Sequence, residues 1–259
     1  MAFKAFDLTG KVALITGGNG GIGLGMAEGL AQAGADIVIW GTSDAKNRSA
    51  ETRLQAYGTR VLAQQVDVAD EQAVILGLQE ALESMGRLDT VIANAGIVGE
   101  IKPSIDYSHE DFQKVMRINV DGAFFTLREA CRHMVARAKA GNPGGSLIGI
   151  SSIGAIHGAA RTPAYGSSKG AMLSMIRSFA VEHARYGIRA NSVHPGWVLT
   201  DISAGAMQDP NYQSLMNRIP ARRFGLPVDL AGIAVYLASD ASSFHTGDKI
   251  VLDGGYTVF

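Results

Sequence analysis

The residues best suited to chemistry in this sequence are a hydroxyl, a phenol and an amine that lie close together in the chain. Ser152 is followed by Tyr165 and then, four positions further on, by Lys169. Residues i and i+4 lie on one face of a helix, so Tyr165 and Lys169 can face the same cleft. A neighbouring ammonium favours the phenolate and lowers the pKa of a tyrosine, which gives a general acid/base usable near neutral pH. Ser152, at the end of a predicted strand, could then hold a substrate oxygen.

A Tyr-x-x-x-Lys pair is a weak signal by itself, and it becomes a strong one together with a glycine-rich loop near the N-terminus. The loop spans residues 16–23 and reads Thr-Gly-Gly-Asn-Gly-Gly-Ile-Gly between a predicted strand and a predicted helix. Gly17 permits a tight turn, Gly21 lets a pyrophosphate approach the backbone, and Gly23 allows close helix packing. The N-terminus of the following helix favours phosphate groups. The loop therefore predicts a dinucleotide site, and the alternative is a glycine turn without a ligand.

Composition and charge exclude several classes of partner. The 259 residues are 47% hydrophobic with a formal net charge of −1, so the chain has no basic field for nucleic acid or anionic lipid. No apolar run approaches the ~18 residues of a membrane span, and the N-terminus lacks the apolar core of a signal peptide. Cys131 is the single cysteine, which excludes an internal disulfide and fits a reducing compartment. The histidines show no metal-ligand spacing. We therefore expect a cytoplasmic protein without a nucleic-acid, membrane or metal partner.

The elements that must position these residues alternate along the chain. Short apolar runs rich in Val and Ile are followed by longer amphipathic stretches, which predicts a parallel sheet with helices on both faces. Strands are predicted at 12–16, 36–41, 61–66, 89–93, 146–151, 190–194 and 249–252. Helices are predicted at 22–33, 44–57, 71–85, 110–137, 164–186 and 228–238. The pattern indicates one α/β domain over residues 1–259, a doubly wound parallel sheet of about seven strands. Residues 200–227 break the alternation and are the predicted substrate lid.

The motifs, in chain order, resemble the short-chain dehydrogenase/reductase family in its single-domain branch, and the match covers nearly the whole chain. The resemblance implies a Rossmann fold, a nicotinamide cofactor and a homotetramer. Segments 25–34 and 218–227 resemble the ketogluconate and deoxygluconate dehydrogenases of that family, which suggests a sugar acid, a polyol or a hydroxy ketone as substrate. The motifs that carry the resemblance are residues 16–23, Asp67-Val68, Asn94-Ala95-Gly96, Asn119, Ser152, Tyr165, Lys169, Pro195-Gly196 and Thr200.

The resemblance also assigns roles to individual residues. The expected catalytic residues are Ser152, Tyr165, Lys169 and Asn119. The expected cofactor-binding residues are Gly17, Asn19, Gly21, Ile22, Gly23, Thr42, Ser43, Asp67, Val68, Asn94, Ala95, Gly96, Tyr165, Lys169, Pro195, Gly196, Val198 and Thr200. The candidate substrate residues are Ser152, His157, Arg161, Trp197 and Met207, together with Val98 and Ile153.

Several of these roles have a simpler alternative. Asp67 either accepts from an adenine amino group or belongs to a helix cap. Asn119 either bends the predicted helix 110–137, with a proton path to the lysine implied by the resemblance, or is an ordinary polar helix residue. His157 either faces the substrate or is a solvated loop residue. Arg161 either pairs with a substrate carboxylate or forms a surface salt bridge.

The end of the second predicted strand bears on which nicotinamide is used. Gly41 stands where NAD-specific relatives commonly carry an acid for the ribose 2′-hydroxyl. Thr42 and Ser43 could donate to a 2′-phosphate, and Lys46 or Arg48 could add positive charge. The arginine that often marks NADP users is absent from position 42, and Asp44 lies nearby. These residues favour NADP(H) over NAD(H) by a small margin.

Three functions are compatible with the sequence. The leading hypothesis is an NAD(P)-dependent oxidoreductase that transfers a hydride between nicotinamide and a small polar ketone or secondary alcohol. The second is a ketoacyl-thioester reductase, which would need a basic surface near the cleft for an acidic carrier protein. The third is a non-enzymatic cofactor-binding regulatory protein, which would typically lack one of the four expected catalytic residues.

Overall fold

One seven-stranded parallel sheet forms the centre of the molecule. The computed structural model describes residues 3–200 and 212–259. The strand order is β3-β2-β1-β4-β5-β6-β7, and every neighbouring pair is parallel. The predicted α/β fold is confirmed. The strands are β1 Val12–Thr16, β2 Asp36–Gly41, β3 Val61–Gln65, β4 Thr90–Ala93, β5 Gly145–Ile150, β6 Ile188–Pro195 and β7 Lys249–Leu252.

Helices cover both faces of the sheet because each strand has apolar side chains on both sides. In β1, Val12 and Leu14 pack into one apolar cluster, while Ala13 and Ile15 pack into the other. The first cluster is completed by α3, α5 and α6, and the second by α1, α2 and α8. None of the helices in the described part of the chain combines the length and apolar character needed to cross a bilayer. The α-helices are α1 Gly21–Gln32, α2 Asp44–Gln55, α3 Glu71–Met85, α4 His109–Met116, α5 Gly122–Lys139, α6 Pro163–His183, α7 Tyr212–Asn217 and α8 Ala231–Ala238.

The long helix predicted at 110–137 is not a continuous α-helix. Between α4 and α5, residues Arg117–Asp121 form a wide π-helical turn. Asn119 lies in this turn, and its side chain bonds both backbone polar groups of Ile97, in the loop after β4. The interruption that the sequence predicts at Asn119 is therefore present, as a widened turn. Its cause is a contact between distant parts of the chain, which competes with the regular helical pattern.

The order of the strands creates a crevice at one edge of the sheet. The chain runs outward from β1 to β3 and then returns to the other side of β1 to form β4. Helices that follow β1 and β4 therefore lie on opposite faces, and a space opens between the loops at the carboxyl ends of these strands. In open α/β sheets this position is where ligands bind.

The opposite edge of the sheet is held by a buried ion-pair network. Asp89 is 6% exposed and accepts hydrogen bonds from the backbone N–H of Val12, 3.0 Å away, and from Arg87 and Arg137. Its own carbonyl accepts from the backbone N–H of Ser146. Burial acts to raise the pKa of Asp89, but the bonds from Arg87, Val12 and Arg137 outweigh it and lower this pKa. Asp89 thus joins the amino ends of the strands, because its carboxylate bonds β1 and its backbone carbonyl bonds β5.

We expect Asp89→Asn to lower the free energy of unfolding by about 3 kcal/mol at neutral pH, because it leaves two arginines beside an uncharged group. The pKa of Asp89 is depressed in the folded protein, so its contribution is present above the unfolded value of about 3.9 and is lost as pH falls below it. Chemical denaturation from pH 7 to pH 3 measures both effects. The exposed Asp106→Asn is the control. Equal stability of the two variants at pH 7 would contradict the prediction.

Candidate active site

A cleft of about 290 Å³ opens at the carboxyl ends of β1, β4, β5 and β6, where the strand order reverses. It is lined by most of the residues expected to be catalytic or cofactor-binding. These are Gly17, Asn19, Gly21, Ile22, Asn94, Ala95, Gly96, Ser152, Tyr165, Lys169, Pro195, Gly196 and Thr200. The cleft is also lined by Lys46 and Val98, which the sequence raised as candidates, and by Gly20, Ile97, Ile150 and Ser151, which it did not.

The glycine loop turns tightly under the end of β4. Gly17 has φ +63°, a left-handed conformation that glycine adopts without strain. A Cβ on Gly23 would overlap the carbonyl oxygen of Gly17 and lie 2.6 Å from Asn94 Nδ2. The Asn94 amide donates to the carbonyls of Thr16, at 2.9 Å, and Gly17. The side chain of Asn94 therefore holds the loop in place, which leaves the loop backbone facing the cleft.

Lys169 is a buried ammonium that joins α6 to the end of β5. The side chain is 5% exposed, and its Nζ donates to the carbonyl of Ile150 at 2.9 Å. Nζ also lies 5.6 Å from the centre of the Tyr165 ring. Burial lowers the pKa of Lys169 from 10.5 to about 8, so most of it carries a proton at neutral pH. The predicted helix therefore does place phenol and amine on one face.

The sequence predicts a lowered pKa for Tyr165, whereas the net shift is in the opposite direction. Burial raises the pKa of Tyr165, and a hydrogen bond with the Ser152 side chain only partly lowers it. The reason is that the phenol lies deep in the cleft, while the ammonium bonds the Ile150 carbonyl and lies beside the ring. Ser152 itself accepts from the backbone N–H of Gly154 at 3.0 Å, which fixes its hydroxyl oxygen. Ser152 and Tyr165 are thus brought together.

Asn119 is 2% exposed and lies behind the catalytic side chains. Its amide nitrogen donates to the carbonyl of Ile97, at 2.9 Å, and to the Ser168 hydroxyl, at 3.0 Å. A Cβ on Gly96 would lie 3.0 Å from Asn119 Oδ1 and 3.5 Å from Lys169 Nζ. Asn119 and Lys169 therefore meet at the same glycine, and the proton path between them remains a prediction.

Several expected cofactor residues do not line the cleft. Ser43 is the N-cap of α2 and accepts from the backbone N–H of Lys46. Asp67 accepts from the backbone N–H of Ala69 at 2.9 Å, whereas the N-cap of α3 is Asp70. The group outside the cleft lining is Gly23, Thr42, Ser43, Asp67, Val68 and Val198.

Four expected substrate residues lie outside the cleft lining as well. His157 packs edge-on against Tyr256, and Trp197 stacks on Phe224. Arg161 has a left-handed backbone with φ +69°, and its guanidinium donates to the carbonyl of Ile101 at 3.5 Å. The salt bridge considered for it is not formed within the described residues. Ile153 is buried behind the catalytic serine, and Met207 lies outside the described residues.

Comparison with known proteins gives matches along the full chain. A family model described as enoyl-(acyl carrier protein) reductase matches residues 17–257. The chain is 36% identical to 2-dehydro-3-deoxy-D-gluconate 5-dehydrogenase of Escherichia coli (strain K12), over 99% of each protein. It is 34% identical to gluconate 5-dehydrogenase of Gluconobacter oxydans (strain 621H), over 98% of this chain and 97% of that protein.

Solved structures agree with these matches. A gluconate 5-dehydrogenase from Burkholderia cenocepacia J2315, in complex with NADP and tartrate, superimposes with a TM-score of 0.93, 34% identity and coverage of 100% of both chains. A short-chain type dehydrogenase/reductase from Mycobacterium marinum superimposes with a TM-score of 0.92, 34% identity and coverage of 99% of both chains.

Proposed function

This chain belongs to the short-chain dehydrogenase/reductase family of NAD(P)-dependent oxidoreductases, and we propose that it interconverts a secondary alcohol and a ketone in a sugar acid or a polyol. The observation that carries the proposal is the meeting of Ser152, Tyr165 and Lys169 in one cleft with the glycine loop. Residues 1–259 act as one domain, with 200–227 as the substrate lid.

The cleft fits a dinucleotide at its glycine-rich end. The loop around Gly17, Gly20 and Gly21 presents backbone rather than side chains, and α1 begins at Gly21 with its N-terminus towards the same space. Backbone N–H groups at a helix N-terminus favour phosphates. The nicotinamide, when bound, supplies or accepts the hydride.

The chain's own residues handle the proton and the developing charge. Tyr165 donates its phenolic proton to the carbonyl oxygen in reduction and removes the hydroxyl proton in oxidation. Ser152 donates a hydrogen bond to the same oxygen as negative charge develops on it. The buried ammonium of Lys169 stabilises the phenolate that remains when the proton has left, because opposite charges attract strongly away from water.

NADP(H) is the cofactor that the end of β2 favours. Asn47 is 3% exposed and donates to the carbonyls of Gly41 and Gln64, both at 3.0 Å. Asn19 Nδ2 donates to Asn47 Oδ1 at 2.7 Å. A Cβ on Gly41 would overlap the Asn19 amide and lie 2.5 Å from Asn47 Oδ1. Two neutral amides therefore occupy the volume in which an acid at position 41 would bind a ribose 2′-hydroxyl and repel a 2′-phosphate.

The cation expected near the 2′-phosphate is Lys46. Lys46 lines the cleft and Arg48 does not. Arg48 forms an ion pair with Asp44, which lies one turn before it on α2. That pair also offsets the charge of the nearby acid. The hydroxyls of Thr42 and Ser43 are not part of the cleft lining, so the charge of Lys46 replaces them in our proposal.

The proposed homotetramer has a matching surface. A groove of about 700 Å³ lies between α5 and α6, and its lining combines apolar side chains, including Phe124, Met175 and Phe179, with charged ones such as Arg128 and Glu182. Phe124 is 40% exposed. A second copy of these helices would cover this surface, which accounts for large apolar side chains facing solvent. We place the enzyme in the cytoplasm, where nicotinamide cofactors are available and the thiol of Cys131 stays reduced.

Hydride transfer measured at 340 nm over a panel of substrates tests the function. The panel contains sugar acids, polyols, diketones and acetoacetyl thioesters, each with both nicotinamides. Highest kcat/KM on a sugar acid or polyol supports the proposal. Preference for the acetoacetyl thioester would favour a ketoacyl-thioester reductase, and a flat response with cofactor bound would favour a regulatory protein.

We expect Tyr165→Phe to lower kcat by about 10²–10⁴-fold, because the proton donor is removed while the ring is retained. The dissociation constant of the cofactor, measured by nicotinamide fluorescence, stays within about twofold of the parent protein. Tyr57→Phe is the control, because this partly exposed residue lies two positions beyond α2, outside the cleft. Turnover close to that of the control would remove Tyr165 from the mechanism.

We expect Lys46→Met to weaken NADP(H) binding by about tenfold, the loss of one charge-assisted contact to phosphate. The affinity for NAD(H) stays within about twofold, since NAD(H) has no 2′-phosphate. Arg48→Met is the matched control on the same helix, because Arg48 does not line the cleft. Fluorescence titration with both cofactors measures the ratio. A ratio that Lys46→Met leaves unchanged would contradict the assignment.

A further inference from the structure

His194 is a buried imidazole next to the active site that the proposed mechanism does not use. It lies near the end of β6, has 0% exposure, and is followed directly by Pro195 and Gly196, which line the cleft. Its Nδ1 is 3.1 Å from the backbone carbonyl oxygen of Ser152, and its Nε2 is 3.0 Å from the hydroxyl of Ser192. Both ring nitrogens therefore have partners.

The hydrogens available to His194 and its two partners determine which tautomer of the ring is present. A carbonyl oxygen can only accept, so Nδ1 must carry a hydrogen to bond Ser152. The Ser192 hydroxyl has one hydrogen and two possible acceptors, His194 Nε2 and the carbonyl of Asp248, which is 3.1 Å away. In the neutral ring Nε2 accepts from Ser192. In the charged ring Nε2 donates to Ser192, and that hydroxyl donates to Asp248. The bond from Nδ1–H to Ser152 is the same in both states.

The surroundings favour the neutral ring. Burial lowers the pKa of His194, the bond to the Ser152 carbonyl acts in the opposite direction, and the positive charges of Lys249, Lys169 and Arg177 lower it further. The neutral ring with hydrogen on Nδ1 is therefore the form expected at neutral pH.

The bond ties the residue after β5 to the end of β6. The pairing of β5 with β6 ends at Ile150 and Val193, followed by a bond from the N–H of Ser151 to the carbonyl of Val193. Ser152 comes next in extended conformation, and the chain then turns away into the short helix Ile153–Ala155. The Ser152 carbonyl accepts from the N–H of Ala155 at 3.0 Å within that turn, and the imidazole adds a second bond, which comes from β6, to the residue whose hydroxyl faces Tyr165.

We propose that His194 is a positioning residue for this reaction, whose Nδ1–H anchors the Ser152 carbonyl and so keeps the Ser152 hydroxyl within reach of Tyr165. The inference rests on the proposed function. It does not require His194 to touch substrate or cofactor, or to exchange protons during turnover.

Two substitutions at one position separate anchoring from packing. His194→Leu fills a similar volume without a donor, and His194→Asn places an amide N–H near the position of Nδ1. We expect His194→Leu to lower kcat by about 10–100-fold, since the bond to a developing oxyanion depends steeply on position. We expect His194→Asn to recover most of that loss. The cofactor dissociation constant stays within about twofold in both variants.

Ser192→Ala is the control, because it removes the other partner of the ring and leaves the bond to Ser152 in place. It should leave kcat within about twofold. A double-mutant cycle with Ser152→Ala gives the sharper test: if His194 acts through Ser152, His194→Leu has little further effect in that background. Equal losses for His194→Leu, His194→Asn and Ser192→Ala, or full additivity with Ser152→Ala, would overturn the proposal.

A second readout does not depend on turnover. Long-range ¹H–¹⁵N correlation of the imidazole reports which nitrogen carries hydrogen, and Nδ1–H is expected from pH 6 to pH 8. A neutral ring with hydrogen on Nε2 would contradict the proposed bond from Nδ1–H to the Ser152 carbonyl, even in an active enzyme. Conversely, a protein that transfers no hydride on the panel but shows Nδ1–H refutes the proposed function and keeps the anchor as a structural bond.

Discussion

Parallel strands deliver their carboxyl ends to one edge of a sheet, and everything at this active site depends on that constraint. Thr16, Asn94, Ser152 and Pro195 are far apart in sequence, yet each lies at or just beyond the end of a neighbouring strand. The reversal of strand order then separates the connecting helices and opens the cleft between them. The opposite edge has a different task, since Asp89 and its arginines hold the amino ends of the strands together there.

The loops at the carboxyl ends of the strands are held in place by side chains from other parts of the chain, which bond the backbone groups of these loops. Asn94 fixes the glycine loop, Asn119 fixes the loop after β4, and Lys169 fixes the end of β5. His194 fixes Ser152, two residues beyond β5, in the same way. Each of these bonds joins a side chain to backbone groups at or beyond the end of a strand. Buried polar side chains thus allow irregular backbone to be rigid without leaving backbone groups unpaired.

The alternation of apolar strands and amphipathic helices was sufficient to predict the sheet and most of its helices. A strand that is buried on both faces needs apolar residues at successive positions, and the sequence shows such runs. The glycine loop and the Tyr165–Lys169 pair could be predicted for a similar reason, since both depend on local spacing. The pKa of Tyr165 could not, because it depends on how deeply the phenol is buried. The sequence also could not predict which residue after β2 faces the cleft. That residue is Lys46, and its direction depends on the start of α2, which Ser43 caps.

The wide turn at Arg117–Asp121 has a consequence for how the chain tolerates change in length. A π-helical turn holds one residue more than the same turn of an α-helix. The apolar stripe of α5, with Leu127, Ala130 and Met134, therefore meets the sheet at its present rotation because the wide turn absorbs one residue. Loss of one residue here would let the turn close into a regular α-helical turn, and the side chains after it would keep their rotation towards the sheet. The same loss inside α5 would turn every later side chain of that helix by about 100° around the axis. The wide turn is thus the place where this pair of helices can lose one codon without a change of phase.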